Sequence, residues 1–321
     1  MRRLPIHRYA VPAALAAILA AYAGPSYAQT AGAQKIQTQS SKVCTNPHPT
    51  HAKLSSMIVG FSQSENEQNP FRAGETNSVK AAAKAVGVKK LLYTNANDNQ
   101  AKQVADIESM ISQGAQALIV APLNATGLQP AFAQAAAKGI PVVTIDRLTA
   151  GTFCKDFITN MGSDFYLQGQ RAAKALAKAT GGKANIIEIQ GAYGNSVETD
   201  RTNGFAQVIK QHPGMHILAA QTGNWSTTDA QRVMEQLLLA HPNVNAVYTH
   251  SDTMAVGAIT ALKQAGKVPG KDVKIVSIDG TKEVVQDIAN GLVAADIETN
   301  PRFGPLGFKA LQDWFDGKPV S

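Results

Sequence analysis

ALIVAPLNATGLQPAFAQAAAKGIPVVTIDR, residues 117–147, decides the fold. Ala117 to Val120 is a short aliphatic run followed by a polar loop. Leu128 to Ala137 has helical length, with apolar residues recurring three and four apart. Gly139 stands just past that segment, where a left-handed C-cap is easiest for glycine. Val142 to Ile145 is a second apolar run, closing on the charged pair Asp146-Arg147. Strand, helix and strand in this order are the unit of an α/β parallel sheet covered by helices.

The same unit repeats on both sides. Further strands are expected at Ser56 to Phe61, Leu91 to Thr94, Ile186 to Ile189, Ile217 to Ala220, Ala246 to Thr249 and Lys274 to Ile278. Helices are expected at Ala73 to Val86, Gln100 to Gln113, Leu167 to Ala179, Asp229 to Ala240 and Met254 to Gln264. About 270 folded residues exceed one comfortable hydrophobic core, and the units divide near Asn160. Two lobes follow: residues 53–159 with 300–321, and residues 160–299. Asp156 to Asp164 and Ala294 to Pro301 are strand-like links without the composition of a flexible tether, and read as hinge strands.

At the N-terminus, Arg2, Arg3 and Arg8 precede an apolar stretch from Ala10 to Ala23, and Ser26-Tyr27-Ala28 offers small residues to a signal peptidase. Residues 1–28 therefore read as a cleavable export signal, and residues 29–52 as an irregular tail. Cleavage removes three arginines and no acid, so the formal net charge drops from +7 to +4. No later segment approaches eighteen consecutive apolar residues, and no basic stripe suited to nucleic acid occurs. Export places Cys44 and Cys154 in an oxidising compartment, where a disulfide between them is expected. Two free thiols are the alternative. A metal held by Cys44, His48 and His51 is disfavoured, because Pro47 and Pro49 break any helical face and no fourth ligand is evident.

Ligands of open α/β sheets bind beyond the carboxyl ends of the strands. Here those ends carry Asp146-Arg147, His250-Ser251-Asp252 and Asp279, with Asp200-Arg201 beyond the loop that leaves Ile189. Asn69, Phe71 and Arg72 lie after the first strand. Carboxylates and guanidinium forks suit adjacent hydroxyls, and the faces of Phe71 and Trp225 suit the C–H face of a sugar ring. Singly, each has a structural reading as an ion pair, helix cap or core residue. Together, at one edge of successive strands, they point to a site. No nucleophile elbow, zinc-protease helix or phosphate loop occurs. Gly191-Ala192-Tyr193-Gly194 lacks the spacing of a dinucleotide site and reads as a loop walling a cleft.

These residues resemble the periplasmic sugar-binding proteins of ABC transporters, of the ribose- and galactofuranose-binding type, within the type I periplasmic binding protein family. The resemblance runs from about Lys53 to the end of the chain. It is carried by Asn69-Pro70-Phe71, the run Asp98 to Ile107 with Gln100 and Gln103, Gly139-Ile140-Pro141-Val142 leading into Asp146-Arg147, Asp200-Arg201 with Gly204-Phe205, Asp252 with Met254-Ala255, and Asp279-Gly280. It implies two Rossmann-like lobes, three hinge crossings and a cleft closing on one sugar, without catalysis or cofactor. Ser62, Asn69, Phe71, Arg72, Asp146 and Arg147 would form one wall. Arg201, Trp225, Ser251 and Asp279 would form the other, with Thr299 at a hinge, Asp252 supporting and Glu198 also facing the cleft.

Three departures stand out. Ser251 replaces a usual Asn, and Thr299 replaces the Gln of ribose binders. The chain also stops at Ser321 without the family's returning strand, as a truncated chain would. Arg72 is similar to the galactofuranose type, which favours a pentose or a furanose-form hexose. The expected protein is a periplasmic monomer that delivers a monosaccharide to an ABC permease. A chemoreceptor or sensor kinase reading the same closed lobes, or an exported glycosidase, is the alternative.

Overall fold

The computed structural model describes residues 42–321. The expected signal peptide and residues 29–41 of the expected tail lie outside the described residues. In the first half, β1 (Ile58–Gln63), α1 (Pro70–Val86), β2 (Lys90–Asn95), α2 (Gln100–Ser112), β3 (Ala117–Val120), α3 (Gln129–Ala137), β4 (Val142–Ile145) and β5 (Thr159–Met161) alternate. In the second follow α4 (Phe165–Thr180), β6 (Ala184–Gln190), α5 (Ser196–Ile209), β7 (Met215–Thr222), α6 (Thr227–Ala240), β8 (Ala246–Thr249), α7 (Asp252–Gln264), β9 (Lys274–Asp279), α8 (Lys282–Ala289), β10 (Ala295–Glu298) and α9 (Gly304–Phe315).

The strands form two five-stranded parallel sheets, ordered β2-β1-β3-β4-β5 and β7-β6-β8-β9-β10. The two orders are the same topology repeated. In each, the chain reverses direction across the sheet beside the first strand, leaving a crevice at that strand's carboxyl end.

Continuous apolar strands result from burial on both faces. Ala117 and Ile119 enter one core of the first sheet, while Leu118 and Val120 enter the other. Val247 and Tyr248 are divided in the same way between the two cores of the second sheet. Helix α9 returns to the first sheet, where Phe308, Leu311 and Phe315 join the core of Val59, Phe61 and Ile119.

Three expected strands, at 117–120, 142–145 and 246–249, have the observed bounds. The first begins at Ile58 and not at Ser56, because Leu54–Ser56 closes a 3-10 turn. Helices α5, α8 and α9 had no counterpart in the sequence reading. Helix α5 carries the polar run Glu198-Thr-Asp-Arg-Thr-Asn203 before Gly204, residues that form helices weakly on their own. Tertiary packing sustains it: a Cβ at Gly204 would stand 2.0 Å from the Tyr166 carbonyl oxygen, and one at Gly169 would stand 2.3 Å from that of Arg201. Helices α4 and α5 thus meet backbone to backbone.

The hinge-like links are β5, which pairs with β4, and β10, which pairs with β9. Strand β5 places residues 159–161 in the first sheet. Among the described residues the chain passes between the sheets twice, after Met161 and after Glu298, where three crossings were expected.

The tail from residue 42 to 53 is irregular, and it is fastened to the body, in part through Cys44. Cys44 exchanges two backbone hydrogen bonds with Val320, of 2.7 and 2.8 Å. Cys44 also forms a disulfide with Cys154, with Cα atoms 5.3 Å apart. That bond excludes the free-thiol alternative and removes the sulfur from any metal set with His48 and His51.

Candidate functional site

The first wall is built where β1 and β4 end. Asn69 caps α1, its side-chain oxygen accepting from Phe71 N at 2.9 Å, and Pro70 supplies a preset first helical residue. The cap turns Phe71 and Arg72 inward. Arg72 donates through Nε to Glu65 Oε2 at 2.8 Å, and through Nη1 to Glu75 Oε2 at 2.9 Å and Asp146 Oδ2 at 2.8 Å. Arg147 donates through Nη2 to Glu65 Oε1 at 2.6 Å and through Nη1 to the Leu123 carbonyl at 2.9 Å. Glu65 therefore bridges two buried guanidinium groups.

Asp146 departs from the strand at φ 63°, a conformation most side chains avoid. Its carbonyl lies against Gly162, where a Cβ would stand only 2.3 Å away. Glycine at 162 lets the two loops meet.

The second wall comes from α5, the loop after β7 and the end of β9. Arg201 donates to Gln168 Oε1 at 3.0 and 3.2 Å, to Asp279 Oδ1 at 3.1 Å, to Thr299 Oγ1 at 2.9 Å and to the His250 carbonyl. His250 is itself fixed, with Nε2 2.8 Å from Glu188 Oε1 and Nδ1 accepting from Gly191 N at 3.3 Å. Trp225 and Asp279 have φ of 59° and 135°. Left-handed non-glycine residues are costly and gather where a ligand or switch requires them.

Glu65, Asn69, Phe71, Arg72, Asp146, Arg147, Val197, Arg201, Trp225 and Asp279 line one cavity. The walls meet around it. Ala125 N donates to the Gly194 carbonyl at 2.8 Å, and Leu148 N donates to Ser196 Oγ at 3.0 Å. The guanidinium carbons of Arg147 and Arg201 lie 5.8 and 5.9 Å from the Trp225 ring centre, and that of Arg72 lies 5.2 Å from Phe71.

Three arginines and three acids line this space. Burial pushes the Glu65 carboxyl up, but Arg147 and Arg72 outweigh it and hold the group at about 2. Burial pushes Asp279 up to about 8, against Arg201 and with help from Asp252 and Asp296. Glu75, behind the first wall, is pushed up to about 7 by burial, against Arg72 and with Asp146 reinforcing it. The array offers ionised acceptors, fixed donors and two aromatic faces.

Eight of the residues expected from the sequence line the cavity: Asn69, Phe71, Arg72, Asp146, Arg147, Arg201, Trp225 and Asp279. The others stand behind it. Ser62 is buried beside the Gln103 amide at 3.4 Å, and Ser251 caps α7 by accepting from Met254 N at 3.4 Å. Glu198 accepts from Thr202 and Thr199, and Asp252 Oδ2 accepts from Thr281 N at 2.6 Å. Thr299 Oγ1 accepts from both Arg201 and Gln168.

Glu65, Val197 and Gln168 were missed. Glu65 and Glu67 look alike in the loop sequence, and only the fold buries the first while Tyr93 donates to the second at the surface. Asn195 capping α5, with a Glu three residues on, was the available signal for Val197.

Comparison with known proteins places this geometry. Residues 59–319 match the family model described as periplasmic binding protein domain. The chain is similar to the galactofuranose-binding protein of Escherichia coli K12, with 35% identity over 262 residues, 80% of this chain and 82% of that protein. It is also similar to the ribose import binding protein of Bacillus subtilis 168, with 32% identity over 253 residues, 78% and 80% of the two chains. Among solved structures, the periplasmic component of the arabinose ABC transporter of Shewanella sp. ANA-3, bound to α- and β-L-arabinofuranose, superposes with a TM-score of 0.78. It shares 37% identity, over 81% of this chain and 86% of that one. The chain belongs to the periplasmic binding protein family.

Proposed function

We propose that this chain captures a monosaccharide, a pentose or a furanose-form hexose, between its two sheets and presents it to the permease of an ABC importer. One observation carries the reading. Hydrogen-bonding groups from both lobes, Asp146 and Arg147 from one and Arg201 and Asp279 from the other, face a single cavity closed by Phe71 and Trp225. Such pairs match vicinal hydroxyls, and the aromatic faces match ring C–H groups. Its relatives named for galactofuranose, ribose and arabinofuranose support the sugar class and a transport role without chemistry.

The working unit is a monomer of two lobes, residues 53–161 with 300–321 and residues 162–299, joined after β5 and after β10. Closure is limited to the ligand's preference for the closed over the open form, so contacts must come from both walls. The closed pair is what a permease reads, and a chemoreceptor or sensor kinase would read the same signal. The relatives' periplasmic setting supports a periplasmic location. No helix among the described residues is long and apolar enough to cross a membrane.

A thermal-shift screen of residues 29–321 against pentoses, hexoses, cyclitols and amino acids tests the class. A saturable rise with one sugar is expected. A rise with an amino acid alone contradicts the reading.

A further inference from the structure

We infer that Gln168, acting with Thr299, is a positioning residue that aims the Arg201 guanidinium at the sugar from the hinge, and so sets both the affinity and the selectivity of the second wall. The inference rests on the sugar reading above. Arg201 lines the cavity, whereas Gln168 and Thr299 stand behind it, 4% and 2% exposed.

A guanidinium carries five N–H donors in a rigid fork. In Arg201, Nε donates to Gln168 Oε1 at 3.2 Å, and Nη1 donates to the His250 carbonyl. Nη2 has three acceptors for its two hydrogens: Gln168 Oε1 at 3.0 Å, Thr299 Oγ1 at 2.9 Å and Asp279 Oδ1 at 3.1 Å. Four donors are thereby spent on the protein, and one N–H of Nη1 is left for a ligand. A single donor reads a single oxygen, so its selectivity depends on how firmly the fork is held.

Gln168 holds the fork along one whole edge, its Oε1 accepting from Nε and Nη2 together. Its Nε2 turns the other way, donating to Thr299 Oγ1 at 2.9 Å and to the Glu298 carbonyl at 3.3 Å. Gln168 stands one turn into α4, the helix that opens after β5, while Glu298 and Thr299 stand where β10 ends. These are the two places where the chain passes between the sheets. One side-chain amide therefore ties both passages to Arg201.

The packing around the amide permits this reach. A Cβ at Gly169 would stand 2.3 Å from the Arg201 carbonyl oxygen, so α4 and α5 approach most closely beside Gln168. Phe165, three residues before Gln168, brings its ring centre within 5.5 Å of the Arg201 guanidinium carbon. The first turn of α4 is thus a cradle for the guanidinium. Its ring bears on the fork, and its amide fixes the direction in which the free N–H points.

The test is titration calorimetry with D-ribose, L-arabinose and D-galactose on ligand-stripped wild type, Gln168→Leu, Gln168→Glu and Thr299→Val, alongside the melting temperature of each ligand-free protein. Gln168→Leu is expected to weaken the tightest sugar about tenfold or more, and to shrink the ratio between the tightest sugar and the next about threefold or more. Gln168→Glu keeps an oxygen for Nε and Nη2, and is expected to stay within about threefold of wild type. Thr299→Val removes the acceptor shared by Gln168 and Arg201 and should fall between the two. A structural role alone would lower the melting temperature and leave the ratio between sugars as it was, and that result overturns the inference. Equal losses in Gln168→Leu and Gln168→Glu also overturn it, because the acceptor would then not matter. Should Gln168→Leu fail to fold, wild-type affinity and ratio in Thr299→Val overturn it. Each of these results leaves the sugar reading intact, whereas no binding of any sugar to folded wild type overturns both.

Discussion

Gly191 lies directly under the indole of Trp225: a Cβ at position 191 would stand 1.9 Å from Cζ2 and 2.0 Å from Cη2. The loop after β6 thus sets the height of the aromatic wall raised by the loop after β7. Gly191→Ala must displace the ring, and with it the surface offered to a sugar. A loss of affinity of about tenfold or more, roughly 1.4 kcal/mol, is expected in a protein that remains folded. Titration calorimetry with circular dichroism checks it, and unchanged affinity contradicts the role given to Trp225.

Glu65 holds two buried arginines, so removing its charge leaves both short of a partner. Glu65→Gln is expected to destabilise the fold by about 3–5 kcal/mol. The same group sets an acid limit. Its carboxyl is depressed from 4.5 to about 2, so its contribution is complete above pH 4.5 and is lost as pH falls towards 2. Denaturant unfolding of wild type between pH 5 and 2 should show that loss, and Glu65→Gln should lack its share of it.

Asp279 and Asp296 act in the opposite sense. Burial first, with repulsion from Asp252 on both and from Asp296 on Asp279, raises them from 3.8 to about 8 and about 7. The folded state therefore keeps protons that the unfolded chain releases near pH 4, and stability falls as pH rises from about 4 to 8. The melting temperature of the ligand-free protein should decline across that window. Asp296→Asn should make the decline shallower, and an unchanged slope contradicts the assignment.

The Cys44–Cys154 disulfide spans 110 residues and pins the tail to the segment that follows Arg147. A loop of that length gives about 4–5 kcal/mol by chain entropy. Cys44→Ser with Cys154→Ser should lose most of that in denaturant unfolding and expose residues 42–53 to protease. Equal stability with and without the bond contradicts a structural role.

Legibility in the sequence followed the physics of each element. Ala117–Val120 and Val142–Ile145 were readable because strands covered on both faces are continuous apolar runs bounded by polar loops. Ser196–Ile209 was not, since Gly204 and its polar neighbours form a helix through contact with Gly169 and Tyr166, partners distant in the chain. Asp146, Arg147, Arg201 and Asp279 were legible as charges at strand ends, where the fold class puts ligands. Glu65 was hidden beside Glu67 in one polar loop, and Gln168 sat unmarked on a helix, although it holds Arg201 through two hydrogen bonds. The left-handed turns at Asp146 and Trp225 had no glycine to announce them.

The central claim is that one sugar is held by both walls, and its most direct test is titration calorimetry of ligand-stripped wild type, Asp146→Ala and Trp225→Ala with L-arabinose, D-galactose and D-ribose. The account predicts one saturable site in wild type. It predicts loss of binding in each variant with the fold retained, because Glu65 and Glu75 still pair Arg72 and Arg147 when Asp146 is gone. Full affinity in either variant, or no heat from any sugar with the folded wild type, would contradict it.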